Sequence, residues 1–267
     1  MPARRAVRGV LMKIVVSIKQ VPARDSLLRA GPSGNWIQDA DLTWEINEPD
    51  AYALEEGLQL KEKHGGEVVV LCAGPARAAQ TIREALAKGA DRAIHIELEE
   101  TATLDPLATA RLMAKALEPE RPDLVLTGLQ SDDLGYGQTG VILAELMSLP
   151  HATIIMEVEK QDGTIRVKRE LENGWFQHIE MPLPALLTIQ SGIKKLRYAT
   201  LMGIKKAKTK ELRRVPAADL RVPASRSIEI ERLYIPERTK HTQLFDGSPR
   251  EAAARLVEKL KFEARVL

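Results

Sequence analysis

Short apolar strands alternate with amphipathic helices through the first 150 residues, and this alternation constrains the chain more than any other feature of its sequence. Residues 13–18 (KIVVSI) form a β-branched run that ends at Val21-Pro22. From Ala51 to Lys63, Ala51, Leu54 and Leu58 fall on one helical face, and Gly65-Gly66 stops the helix. A second apolar strand, 68–72, closes at Gly74-Pro75. A helix over 76–88 turns Ile82, Ala85 and Leu86 inward, with Gly89 as its C-cap. A short strand at 93–96 follows, then a helix opened by Asp105-Pro106 that runs to about Leu117. A strand at 123–127 (DLVLT) and a helix over 138–147 complete the series. The pattern predicts an α/β protein of three αβα layers, with helices on both faces of a mostly parallel sheet.

Beyond residue 150 the pattern changes. Strand-like runs at 153–160 and 164–171 are joined by Asp162-Gly163, whose positive φ angles suit a tight hairpin. Asn173-Gly174 leads to a third strand at 175–181, and a fourth apolar run occupies 185–189 after Pro182 and Pro184. An antiparallel meander is expected here. Residues 194–214 have weak periodicity, and 215–247 read as a polar arm. Ser248, Pro249 and Glu251 then announce a helix near 249–262, with Ala252, Leu256 and Leu260 on one face. Residues 1–11, with three arginines and no acid, read as a disordered extension. The expected organisation is therefore 1–11, an αβα body over 12–193, a basic segment over 194–214, and a C-terminal arm and helix over 215–267.

Composition excludes several classes. A length of 267 residues suits one or two domains. The single cysteine, Cys72, removes a disulfide framework and every multi-cysteine metal motif. No apolar run approaches the roughly 18–20 residues of a membrane span. Net charge is only +2, which argues against a generally basic nucleic-acid binder. That average conceals an asymmetry: residues 194–214 carry nine basic side chains and one acid, whereas the remainder carries 30 basic and 36 acidic.

Ligands of an alternating parallel sheet bind outside the carboxyl ends of its strands. Three such ends are informative: Ser17, Ala73-Gly74-Pro75, and the loop from Gly128 to Gly140 (GLQSDDLGYGQTG). The loop has glycines that let a ligand approach the backbone, and it opens a helix whose free N–H groups attract phosphate. Gln138 and Thr139 can donate to phosphate oxygens. The alternative is a glycine-rich surface turn with no ligand. The loop lacks the lysine-serine ending of a P-loop and the G-x-G-x-x-G spacing. Asp132-Asp133 are read as solvated or capping charges rather than metal ligands. His64, His95, His151, His178 and His241 have no ligand spacing, and Cys72, inside an apolar strand, reads as a buried inert thiol. No nucleophile-base-acid set stands out.

At this point the sequence resembles the beta subunits of electron transfer flavoproteins, over about residues 12–262. The start MKIVVSIKQVP is similar to the family's first strand. Ile46-Asn47-Glu48-Pro49-Asp50 followed by Ala53-Leu54-Glu55-Glu56 resembles the family's N-P-x-[CD] stretch leading into A-x-E-E-A, with Asn47-Glu48 where the family has Asn-Pro. Ala73-Gly74-Pro75, then Thr81-Ile82-Arg83 and Gly89-Ala90-Asp91-Arg92, is close to the family pattern. Gln138-Thr139-Gly140 resembles the family's N-Q-T-G, with Gly137 in place of the asparagine. Val167-x-Arg169-x-x-Glu172-Asn173-Gly174 resembles the stretch after the meander. Arg197-Tyr198-Ala199-Thr200-Leu201 is the most specific match.

The resemblance implies a heterodimer with an alpha subunit that holds most of the FAD. It also implies electron transfer from acyl-CoA or related dehydrogenases towards a quinone oxidoreductase, with no bond-making active site in this chain. A cytoplasmic location is expected, with neither nucleic acid nor membrane as partner. The family's AMP site maps to Ser17, Asn47, Glu48, Pro49, Asp50, Ala73, Gly128, Gln130, Ser131, Asp132, Asp133, Gly135, Gly137, Gln138 and Thr139. A second FAD in the same cleft, as in the bifurcating branch, stays open. The resemblance also makes Leu201 a docking anchor for the dehydrogenase, with Lys205 and Lys206 beside it; the alternative is a leucine covered by the arm. An ATP-using ligase on a similar fold would need a glycine/serine loop after the first strand, where this chain reads Ser17-Ile18-Lys19-Gln20-Val21-Pro22.

Overall fold

In the computed structural model, which describes residues 11–98, 104–223, 227–236 and 242–267, every expected strand and helix of the first 150 residues is present. The order is β1 (Met12–Ser17), β2 (Gln20–Pro22), β3 (Trp44–Ile46), α1 (Glu48–His64), β4 (Gly66–Gly74), α2 (Ala78–Lys88), β5 (Arg92–Glu97), α3 (Pro106–Leu117), β6 (Leu124–Gly128) and α4 (Thr139–Leu146). There follow β7 (His151–Lys160), β8 (Thr164–Glu170), β9 (Phe176–Pro182), β10 (Ala185–Ile189), α5 (Leu201–Ala207), β11 (Leu212–Pro216) and α6 (Pro249–Phe262). The expected extension over 1–11 lies, except for Leu11, outside the described residues, as does His241.

Nine strands form one sheet in the order β11-β5-β4-β1-β6-β10-β7-β8-β9, and β2 pairs with β3 in a small antiparallel ribbon. Consecutive apolar residues in the central strands are buried on opposite faces, which requires helices on both sides. Ile14 and Val16 pack with Leu54, Leu58, Ile82 and Leu86 beneath α1 and α2. Val15 packs with Met113, Leu117 and Leu143 beneath α3 and α4. Each fully buried side chain of this size is worth about 1.5–3 kcal/mol relative to exposure. Local chemistry sets the helix ends. In α1, Glu48 and Asp50 lie in the first turn, and Lys61, Lys63 and His64 in the last, complementing the helix dipole. Asp105 caps α3 by accepting from Ala108 N–H at 2.7 Å.

The region after 150 departs from expectation in two places. β7, β8 and β9 are the antiparallel meander, but β10 is not its fourth strand. It inserts between β6 and β7, parallel to both. All five of its residues are buried, and only an interior position covers both faces of such a strand. Residues 194–214, with their weak periodicity, contain α5 and then β11, which extends the parallel sheet beside β5. Of the Asp162-Gly163 pair only Gly163 has positive φ (76°), whereas Asn173 and Gly174 both do (57° and 76°).

The chain divides into two units, Met1–Leu233 and Tyr234–Leu267. The second contains α6, opened by the expected capping box between Ser248 and Glu251. None of its helical residues is buried; Leu256, Val257 and Phe262 are exposed.

Candidate functional site

A cleft of about 390 Å³ opens at the carboxyl ends of β1, β4 and β6. Its size falls in the range of small-molecule sites, about 300–1,000 Å³. Ser17, Ala73, Asn47, Asp50, Gly128, Gln130 to Asp133 and Gly137 to Thr139 line it. Three of the expected residues do not. Glu48 turns its carboxylate to Arg24. Pro49 sits in the first turn of α1 against Gly128. Gly135, at φ 64°, donates its N–H to the carbonyl of Ser131 at 2.9 Å and shapes the loop from behind.

Two buried side chains build the cleft floor. Asp50 Oδ2 accepts from Lys19 N–H and its Oδ1 from Gly128 N–H, both at 2.8 Å. It thereby ties the end of β1 to the end of β6. Gly128 has no room for a side chain: a Cβ there would lie 2.4 Å from Asp50 Oδ1 and 2.7 Å from Pro49 Cβ. Burial pushes the Asp50 carboxyl up to about 7, against the pull of the two N–H groups. Asn47 is the second. Its Nδ2 donates to Gln130 O at 2.9 Å and its Oδ1 accepts from Asp132 N–H at 2.8 Å, so one amide clamps the start of the glycine-bearing loop. Both residues belong to the stretch singled out in the sequence, and both hold the site's frame with their own polar atoms.

The aspartates of the loop are similarly engaged. Asp133 Oδ1 accepts from Lys19 Nζ at 2.6 Å. Burial pushes its carboxyl up, but Lys19, together with the Ser131 hydroxyl and Leu134 N–H, leaves it below its ordinary value. Asp132 accepts from Glu48 N–H at 3.3 Å and lies 3.8 Å from Arg24. Among the described residues no group of three or more His, Cys, Asp or Glu side chains is placed to hold a metal ion.

With the loop pinned in this way, the start of α4 is left at the cleft. Its N-cap, Gln138, makes no side-chain capping bond. The first N–H groups of a helix have no intrahelical partners and carry the positive end of the dipole. Gly140 must be glycine, because a Cβ would lie 2.6 Å from Thr127 Oγ1 and 2.9 Å from Thr188 Cγ2. The arrangement provides uncapped backbone donors beside Ser17, Gln138 and Thr139, a set suited to an anionic group.

Sequence reasoning missed part of the lining. Trp36 and Trp44 come from the polar stretch before Asn47, and the Arg77 guanidinium lies 4.0 Å from the centre of the Trp44 ring. Two of the three tryptophans in an aromatic-poor chain were the available signal. Cys72 is buried, and burial, then the Asp50 charge, pushes its thiol up to about 12. His95 is fully buried with a ring nitrogen 3.0 Å from Gly74 O.

A second feature lies at α5. Leu201 is 81% exposed, Tyr198 91% and Met202 61%, so among the described residues up to Leu233 nothing covers the leucine. Lys205 and Lys206 are exposed in the last turn of the helix. The basic segment is not a uniform charge run, however. Arg197 pairs with Glu55 at 2.8 Å and Glu62 at 2.6 Å. Lys194 lies 3.4 Å from Glu56, and Arg213 3.0 Å from Glu120. Among the described residues no helix is long and apolar enough to cross a membrane.

Residues 35–220 match the family described as the electron transfer flavoprotein domain. This span contains Asn47, Asp50, the 128–140 loop and α5. The electron transfer flavoprotein subunit beta of Methylophilus methylotrophus is 36% identical over 257 residues, covering 92% of this chain and 97% of that protein. The subunit beta of Bacillus subtilis is 35% identical over 238 residues, covering 86% and 91%. The human subunit beta is 33% identical over 258 residues, covering 96% and 99%. A family match across most of the chain, with relatives at 33–36% identity along nearly their whole length, establishes that this chain belongs to the electron transfer flavoprotein family, among its beta subunits.

Proposed function

We propose that this chain is the beta subunit of a cytoplasmic heterodimeric electron carrier, with AMP seated structurally in the cleft and FAD held mainly by an alpha subunit. The uncapped start of α4, facing a cleft whose own acids are already engaged, carries the nucleotide reading. In it the N–H groups at Thr139 and Gly140, with Gln138 and Thr139, receive the phosphate, and Asn47 and Asp50 hold the frame. FAD supplies the electron-accepting and electron-donating chemistry when bound. The role of this chain is to position, exclude water and recognise, and no bond-making step is assigned to it. Co-expression with an alpha subunit, followed by acid release and chromatography, tests the reading. One FAD and one AMP per heterodimer is expected. Two FAD molecules would move the chain to the bifurcating branch, and a nucleotide-hydrolysing monomer would overturn both readings.

The same proposal makes α5 the docking element for an acyl-CoA or related dehydrogenase, from which electrons pass on to a quinone oxidoreductase. An exposed Leu201 beside Lys205 and Lys206 fits an apolar pocket with an acidic rim. Leu201→Ala is expected to slow electron transfer from the dehydrogenase by about tenfold or more, with flavin content unchanged. Equal rates would reject the anchor. Replacing Lys205 and Lys206 with glutamine is expected to lower the encounter rate a few-fold at low salt, with the difference shrinking as salt rises. A salt-independent effect would exclude steering.

A further inference from the structure

α5 has seven residues, too few to be stable alone in water. Its N-terminus is closed by Thr200, whose Oγ1 accepts from Gly203 N–H at 3.0 Å. Gly203 rests on the carbonyl of Ala87 at the end of α2, where a Cβ would approach to 2.3 Å. What holds the other end is a reciprocal pair of cations. Arg83, on α2, donates from one guanidinium nitrogen to Ala207 O at 2.6 Å and Lys210 O at 2.7 Å, satisfying carbonyls where α5 ends. Lys210, just past α5, returns its ammonium to Leu86 O at 2.9 Å and to Ala90 O, satisfying carbonyls where α2 ends. Each helix thus receives at its negative end a positive charge contributed by the other side of the contact. On the N-terminal side, Arg197 fixes the chain before Tyr198 through Glu55 and Glu62 on α1. Tyr198, Leu201 and Met202 project between these two fixed points.

We propose that Arg83 and Lys210 are positioning residues for partner docking: their crossed carbonyl contacts hold α5 in its helical form before a dehydrogenase arrives. The inference rests on the docking role of α5 proposed above. A segment that is ordered beforehand loses less freedom on binding than one that folds on contact. Neither residue touches the partner in this scheme. Both act through the backbone that presents Leu201.

The test uses the intact heterodimer with its flavin and three variants: Arg83→Gln, Lys210→Met and Arg83→Lys, with Leu201→Ala as the reference. Hydrogen exchange at the amides of 203–208 is expected to quicken by about tenfold in Arg83→Gln and Lys210→Met, while β1 and β4 exchange as in the wild type. With an acyl-CoA dehydrogenase reduced by its acyl-CoA substrate, KM for the heterodimer is expected to rise about fivefold to tenfold with kcat and flavin content unchanged. Arg83→Lys should recover part of both effects. Unchanged exchange at 203–208 overturns the inference directly. Faster exchange with an unchanged KM also overturns it, if Leu201→Ala raises KM in the same assay. If Leu201→Ala leaves KM unchanged, the docking reading itself fails, and the clamps are then a feature of folding alone.

Discussion

At the amino ends of the strands Glu120 meets three cations: Arg92 at 2.6 Å, Arg213 at 3.0 Å and Lys13 at 3.4 Å. Arg92 is itself paired with Glu67 at 2.8 Å. At the carboxyl ends Asp50 is met instead by two backbone N–H groups, and Asn47 by a backbone N–H and a carbonyl. One end closes a network among side chains. The other uses buried side chains to fix the backbone and leaves the start of α4 without a side-chain cap. In a parallel sheet the helices that follow strands point their amino ends towards the carboxyl edge, so that edge favours anions. The amino edge has no such use and is available for strengthening the body.

The largest effect separating the two ends is expected from Glu120→Ala. Removing the shared acid leaves Arg92, half-buried and held by Glu67 alone, facing Lys13 and Arg213. A loss of about 3 kcal/mol is expected in urea unfolding of the heterodimer. Bound nucleotide per folded heterodimer should not change. A nucleotide-depleted but fully stable variant would erase the division between the ends.

Asn47→Ala should do the reverse. It removes one buried donor and one buried acceptor, at a cost of about 2 kcal/mol, and it also releases the loop at Gln130 and Asp132. Bound nucleotide, measured by acid release, is expected to fall by at least about tenfold in affinity, because a loop no longer fixed must be ordered on binding. Normal occupancy in Asn47→Ala would mean that the remaining contacts, Lys19 to Asp133, Glu48 N–H to Asp132 and Gly128 N–H to Asp50, hold the loop without it.

The two ends were unequally legible in the sequence. The cleft is announced by local signals: strand endings at Ser17 and Ala73, the Asn47 to Asp50 stretch, and a glycine-bearing loop before a helix. These sit within short spans, and alternation of strand and helix brings them to one edge. The network around Glu120 joins residues 13, 92, 120 and 213, and no local pattern links such distant positions. Likewise, the periodicity of β10 was readable but its place between β6 and β7 was not, because pairing depends on which strand can cover both faces. The nine cations of 194–214 gave a charge run. Only the fold reveals that Arg197, Lys210 and Arg213 are occupied by the body, whereas Lys205 and Lys206 are exposed.

The smallest expected effect concerns pH, and it separates the ends by sign. The Arg92 guanidinium holds Glu120 below its ordinary value, so the stability it contributes is present above pH 4.5 and lost as pH falls through the lower folded value. Asp50 runs the other way. Burial raises its carboxyl from 3.8 to about 7, so the native state binds the extra proton. The stability linked to that proton is complete below pH 3.8 and lost as pH rises through about 7. The unfolding free energy measured in urea should therefore decline by about 1 kcal/mol between pH 6 and 8 in the wild type. Asp50→Asn begins less stable, because its Nδ2 faces one of the two N–H donors, but its profile should be flatter over the same interval. Glu120→Gln should keep the wild-type slope above pH 6 and differ only under acid. Parallel wild-type and Asp50→Asn profiles between pH 6 and 8 would mean that Asp50 is ionised throughout, with the Lys19 and Gly128 N–H groups outweighing its burial.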